Sequence, residues 1–165
     1  KTKHILNLIE NKYAKRLSQL LGYSSDSAGG LMTTEYIAFA KDTAVEAALN
    51  QIRERKFKSE PAQFIYIINE AHQLIGATNF RRLILANPQE PIANSAFPKT
   101  YFVHLDSSVK EVAYLMEKYK YFAIPVVDDS NVLQGIITVD DILSQLIAFA
   151  WRRLSRRSGI PPRPK

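Results

Sequence analysis

The sequence predicts an α+β fold made of two copies of one β-α-β-β-α unit, packed face to face as a pseudo-two-fold pair. Two observations predict it. First, Thr43-Ala-Val-Glu-Ala-Ala-Leu-Asn-Gln-Ile52 aligns without gaps on Ser107-Ser-Val-Lys-Glu-Val-Ala-Tyr-Leu-Met116, each preceded by an Asp, Asp42 or Asp106. Second, Phe64-Ile-Tyr-Ile-Ile-Asn69 aligns on Ala123-Ile-Pro-Val-Val-Asp128, and Leu74-Ile-Gly76 on Leu133-Gln-Gly135. Internal similarity at such spacing marks a repeated supersecondary unit, and one unit of this size cannot close a core alone. The offset slips from 64 positions (43 to 107) to 59 (76 to 135), which an insertion around Lys56–Ala62 absorbs.

Taken in order, Ile5, Leu6, Ile9, Tyr13, Leu17, Leu20 and Leu21 recur at helical spacing and predict an amphipathic helix over 5–21, stopped by Gly22. The turn-rich stretch Tyr23–Gly30 follows, with Ser24 or Ser25 expected to cap a short helix carrying Leu31 and Met32. Each repeat helix carries a capping pattern, Thr43 with Glu46 and Ser108 with Glu111. The apolar runs flanked by Asn, Asp and Gly read as buried strands, with a tight turn at Asp128–Asn131. Pro88, Pro91 and Pro98 mark Asn87–Lys99 as the connector.

The chain has 165 residues and a formal net charge of +6, and its 46% hydrophobic content excludes a wholly disordered chain. With no cysteine, disulfides, thiolate metal sites and cysteine nucleophiles are excluded. No run approaches the roughly 18 apolar residues of a membrane span, and no signal-peptide pattern opens the chain, so a soluble molecule is expected. It begins with Lys1 rather than Met, which fits a trimmed chain. The charge has an address: residues 1–141 hold 16 Lys+Arg and 16 Asp+Glu, and the excess is Arg152, Arg153, Arg156, Arg157, Arg163 and Lys165. A neutral body with a basic tail argues against a nucleic-acid-binding fold and directs the charge toward a membrane surface or a missing partner.

The repeat resembles a tandem pair of CBS domains. Its second copy carries the resemblance most closely, in Tyr121-Phe-Ala-Ile-Pro-Val-Val-Asp-Asp129 and Gly135-Ile-Ile-Thr-Val-Asp-Asp-Ile142. Upstream, Leu20-Leu-Gly-Tyr-Ser-Ser-Asp-Ser-Ala-Gly-Gly-Leu-Met-Thr-Thr-Glu-Tyr36 is similar to the junction of MgtE-type magnesium transporters, where a helical N-terminal domain meets the first CBS domain. The implied organisation is the last helix of that domain at 1–22, a first CBS domain with its junction at 23–92, a second at 93–146, and a basic tail helix with a disordered Pro-rich end at 147–165. The resemblance also implies a homodimer, a transmembrane transport domain or another membrane protein as partner, the cytosolic face of the membrane as location, regulation of transport by Mg²⁺ or adenine nucleotide or both, and no enzyme activity. The alternative is a stand-alone CBS pair that binds an anionic membrane surface or nucleic acid through its basic tail.

CBS pairs commonly hold adenine nucleotides through a Gly-x-x-Thr-x-x-Asp pattern. Carried over, it falls on Gly135, Thr138 and Asp141, with Ala123, Ile124 and Pro125 against the base. The hydroxyl suits a phosphate oxygen and the carboxylate a ribose diol. Thr138 and Asp141 equally suit a plain helix cap. The first copy departs from the pattern, with Asn79 and Arg82 at the Thr and Asp positions. Arg82 cannot accept a hydrogen bond, although Arg81 offers a phosphate contact.

The transporter resemblance implies Mg²⁺ as a second ligand, with candidates Asp26, Glu35, Asp128, Asp129, Asp140 and Asp141, since a hard, hydrated ion needs only a few spaced carboxylates. Solvated turns and caps account for the same residues. No Asp or Glu follows Asp141, so ion sensing by an acidic helix after the second copy does not carry over. His4, His72 and His104 are scattered, and neither a Gly-x-Ser-x-Gly motif nor a phosphate loop occurs. Trp151, Tyr119 and Tyr121 are expected to be packing or dimer contacts.

Overall fold

The computed structural model describes residues 22–54 and 63–158, the last seven as backbone. The helix expected over 5–21, the insertion at 56–62 and the Pro-rich end lie outside the described residues. A short helix α1 (Ala28–Leu31) precedes the first unit, which comprises β1 (Ile37–Ala40), α2 (Val45–Glu54), β2 (Phe64–Ile68), β3 (Leu74–Asn79) and α3 (Phe80–Leu85). After a 3₁₀ turn at Ile92–Ser95 the second runs β4 (Val103–His104), α4 (Val109–Tyr119), β5 (Ala123–Val127), β6 (Leu133–Thr138) and α5 (Val139–Ser158). Helix α5 crosses the expected boundary at 146 without a break.

The two sheets have the same order and sense. β1 pairs parallel with β2 and β2 antiparallel with β3; β4, β5 and β6 repeat this. Register shifts fall at matching places, Ile67/Ile68 and Val126/Val127. So do the turns: Asn69 Oδ1 accepts from Gln73 N–H as Asp128 Oδ1 does from Val132 N–H. His72 and Asn131 both take left-handed backbone, at φ 59° and 60°. A short polar side chain that bonds the backbone nearby makes such a turn cheap. Pro125 sits in a central strand because the β4 ladder begins only opposite Val126, so its missing N–H breaks no bond there.

Against the expectation that neither unit could close a core alone, each has a core cluster of its own, although the second is completed by residues from outside it. Ile37, Phe39, Val45, Ala48, Ile65, Ile67, Leu83 and Ile92 fill the first. Val103, Val112, Met116, Ile124, Val126, Ile137 and Ile142 fill the second, joined by Ala28 and Met32 from ahead of the first unit. A third cluster, Tyr66 and Ala77 with Leu133 and Ile136, seals the units against each other.

The caps differ from expectation. Ser27, not Ser24 or Ser25, caps α1, its hydroxyl accepting from Gly30 N–H. Ser24 instead supplies a backbone carbonyl to Ser27. Ser108 caps α4 through Glu111 N–H as predicted. Thr43 does not cap Glu46, because the Glu46 N–H donates to the Pro88 carbonyl and Val45 N–H to that of Glu90. The connector satisfies the orphan donors of α2, so no side chain is needed.

The segment before each unit is built into the other unit. Thr33 and Ile136 exchange both backbone hydrogen bonds, while Phe97 N–H donates to the Ala77 carbonyl. Gly135 and Gly76 admit these approaches. A Cβ at Gly135 would lie 2.7 Å from Thr33 O and 2.8 Å from Met32 Sδ; at Gly76 it would lie 3.3 Å from the Ala96 methyl. The turns also meet, through Leu74 N–H to Asn131 O and Leu133 N–H to His72 O.

Candidate functional site

A cavity opens between the two sheets, lined by Phe64, Tyr66 and Ala77 from the first unit, Phe97 and Thr100 from the connecting stretch, and Tyr101, Tyr121, Ala123 and Pro125 from the second. Strand alternation explains the membership. Phe64 and Tyr66 share one face of β2, and Ala123 and Pro125 share the corresponding face of β5. The rings interlock across the units: Phe64 lies edge-on to Tyr121 at 6.1 Å between centroids and to Phe97 at 6.2 Å. Edge-to-face geometry is favourable for such rings. The free space is only about 10 Å³, on the order of what one water needs.

Two polar groups of the lining are conspicuous. The Tyr66 hydroxyl and Thr100 Oγ1 are buried and find no hydrogen-bond partner among the described residues. Burial pushes the Tyr66 phenol well above its usual pKa, with Tyr121 adding to the shift. At the outer edge Tyr101 stacks on Tyr119 at 3.6 Å, and the Lys99 ammonium lies 4.6 Å from the Tyr101 ring centre. A hydrogen bond with the Tyr119 hydroxyl, assisted by Lys99, holds the Tyr101 phenol below the usual range, and the same bond raises Tyr119.

Thr138 and Asp141 are brought together, and on each other. Asp141 Oδ2 accepts from the Thr138 hydroxyl at 2.6 Å and from Thr138 N–H at 3.1 Å, while Asp141 N–H leans on Thr138 Oγ1 at 3.4 Å. This is a reciprocal cap on α5. Thr138 pairs across the strands with Ala123, which places both on the cavity side of the sheet. Ile124 corrects the expected lining. One residue out of phase, it is fully buried in the second core beside Val112 and Ile137.

In the first unit Asn79 caps α3 through Arg82 N–H. Arg82 Nε donates to Ser95 O at 2.7 Å and Nη2 to Ala96 O at 2.9 Å, with the guanidinium 5.3 Å from the Phe97 ring centre. The residue that departs from the repeat therefore ties the connector to the cavity rim. Arg81 is exposed on the first turn of α3.

The metal candidates do not assemble. Asp128 is spent on its turn, Oδ1 accepting from Ser130 and Val132 N–H and Oδ2 from the Gln134 amide. Asp141 is spent on its cap. Asp26, Glu35, Asp129 and Asp140 are exposed. Among the described residues no three His, Cys, Asp or Glu side chains come close enough to hold an ion, so a self-contained Mg²⁺ site does not fit them.

The aromatic lining does not follow from the motifs, in which Tyr121 reads as a packing or dimer contact. The signal available was the F-x-Y alternation at Phe64 and Tyr66, which puts two rings on one face where the second copy has Ala123 and Pro125.

The CBS domain model matches residues 96–148. The magnesium transporter MgtE of Bacillus subtilis is 36% identical over 145 residues, covering 88% of this chain and 32% of that protein. MgtE of Thermus thermophilus is 36% identical over 93% of this chain and 34% of its own length. The chain thus spans about a third of these relatives. A crystal structure of the cytosolic domain of the Mg²⁺ channel MgtE in complex with ATP superposes with a TM-score of 0.81 at 36% identity, covering 87% of this chain and 58% of that one. The duplicated unit, the sheet order and these likenesses converge: the chain is a tandem CBS module of the MgtE-type magnesium transporter family, homologous to its cytosolic part.

Proposed function

We propose that this chain is the regulatory part of a magnesium transporter at the cytosolic face of the membrane, and that its inter-sheet cavity receives the base of an adenine nucleotide. One observation carries this reading: two buried hydroxyls without partners, Tyr66 and Thr100, stand in an aromatic wall shared by both units. An unpaired buried polar group costs about 1–3 kcal/mol, which a purine edge would relieve while its faces meet Phe64, Phe97 and Tyr121. A relative solved with ATP supports the same ligand class.

The size of the cavity supplies a mechanism. Space for one water does not admit a purine, so entry requires Phe97, Tyr101 or Tyr121 to move and the units to part. A ligand then favours the arrangement that it binds better. The change reaches α5 through its cap, since Thr138 ends β6 beside Ala123 and Asp141 opens the helix. From there it would pass to a transmembrane transport domain outside this chain, as a homodimer. Mg²⁺ sensing is the second reading. It rests on the exposed Asp26, Glu35 and Asp140, each available to complete a site with carboxylates from another segment or copy.

Calorimetry of the chain with ATP, ADP, AMP and Mg²⁺ separates the readings. Micromolar-to-millimolar nucleotide binding that weakens at least tenfold in Thr100→Val and Tyr121→Ala is expected. Binding unaffected by either change removes the cavity from consideration.

A further inference from the structure

Among the described residues, the outer face of α5 is not packed into the core of either unit. Ile142 is the last residue of the helix in a core, at 4% exposed. Beyond it Leu143, Leu146, Ile147 and Trp151 are 50, 42, 45 and 38% exposed. With Ala150 and Leu154 they recur at the i, i+3, i+4, i+7, i+8, i+11 spacing of a single helical stripe. At about 1.5 Å per residue the stripe runs roughly 16 Å. Helical geometry sets positions 153 and 157, both Arg, along one border of it, with Arg152 and Arg156 further round. No carboxylate follows Asp141, and residues 142–165 carry the whole +6 of the chain. No helix among the described residues is long and apolar enough to cross a membrane.

We infer that α5 docks in the plane of an anionic membrane surface, its Leu143–Leu154 stripe in the headgroup–acyl boundary and its arginines on lipid phosphates. An exposed apolar stripe bordered by cations, with Trp at its edge, has the composition of an interfacial helix. A second copy is a poorer occupant, because pairing α5 with itself gathers the four arginines of each copy against only Asp140 and Asp141 at the opposite end of the helix, and Asp141 is held in its cap. A nucleic acid is poorer as well, since a phosphate backbone satisfies the arginines and leaves the apolar stripe in water. The inference stands apart from the nucleotide cavity and survives that reading's failure.

Trp151 is the single tryptophan of the chain and lies on the stripe, so its emission reports docking directly. The full chain is titrated with vesicles of phosphatidylcholine and phosphatidylglycerol at 3:1, and with phosphatidylcholine alone, alongside sedimentation. A blue shift and co-sedimentation on the anionic vesicles are expected, with partitioning at least about tenfold weaker on neutral ones and weakened by added salt. The R152Q/R153Q/R156Q/R157Q variant and Ile147→Glu should each lose about tenfold or more; a melting curve checks that both stay folded. Three outcomes overturn the inference: equal partitioning into neutral vesicles, a blue shift that follows protein concentration without lipid, or duplex DNA binding that depends on the arginines but ignores Ile147→Glu.

Discussion

Thr33 and Ile136 lie 103 positions apart in sequence (33 to 136) and exchange two backbone hydrogen bonds, Thr33 N–H to Ile136 O at 2.8 Å and the reverse at 2.9 Å. Gly135 makes the approach possible. Gly135→Ala should lower stability by about 1–3 kcal/mol, because backbone must move away from the new methyl. Gly76→Ala meets only another methyl at 3.3 Å and should cost less than about 1 kcal/mol. Denaturant melts of the two variants give the comparison, and equal losses would contradict it.

Tyr66→Phe removes a buried hydroxyl that has no partner, so stability should stay level or rise by up to about 1 kcal/mol. Nucleotide affinity should fall in the same protein. A large loss of stability would mean the hydroxyl is satisfied in solution.

The Tyr66 phenol also sets an alkaline limit. Its folded pKa is raised, so the folded state holds the proton more tightly than the unfolded chain. The sign follows: its contribution is fully present below the unfolded value near pH 10 and is lost as pH rises beyond it. Unfolding free energy should therefore decline above about pH 10, and less steeply in Tyr66→Phe. Parallel declines in the two proteins would assign the effect elsewhere.

Asp141→Ala strips the cap of α5 and leaves the Thr138 hydroxyl without its acceptor. A loss of about 1 kcal/mol is expected. Thr138→Val should lose a similar amount, and the double variant less than the sum of the two, since both act through one interaction. Strict additivity in thermal melts would refute the reciprocal cap.

Arg82→Ala frees the connector carbonyls of Ser95 and Ala96. The cost should be about 1 kcal/mol rather than more, because Arg82 is exposed and the Thr78 hydroxyl still bonds Ser95 O at 2.7 Å. Faster amide exchange around Ala96 and Phe97 is the local signature to measure.

Much of this fold could be read from the sequence because duplication writes each element twice. The matching strands, helices and turns, and the 59-position spacing of Asn69 and Asp128, all follow from one alignment. The exchange of leading segments was not legible, since a single pair of residues such as Thr33 and Ile136 carries no period. Ile124 was misplaced for a related reason. Strand β5 is buried at all five positions, so no polar residue marks which side is which. Thr43 failed as a cap because backbone from the connector reached α2 first, a tertiary event that local spacing cannot reveal.

The crossing of leading segments bears on how this chain can be cut. A fragment starting at residue 96, where the CBS domain match begins, would contain β4 to α5 yet lack Ala28, Met32 and Thr33, leaving one sheet edge bare and part of its interior open. A peptide spanning 23–36 should bind that fragment and restore its missing edge. The reverse dissection, ending the first unit at 92, would strip β3 of Phe97. Neither half is a spare part.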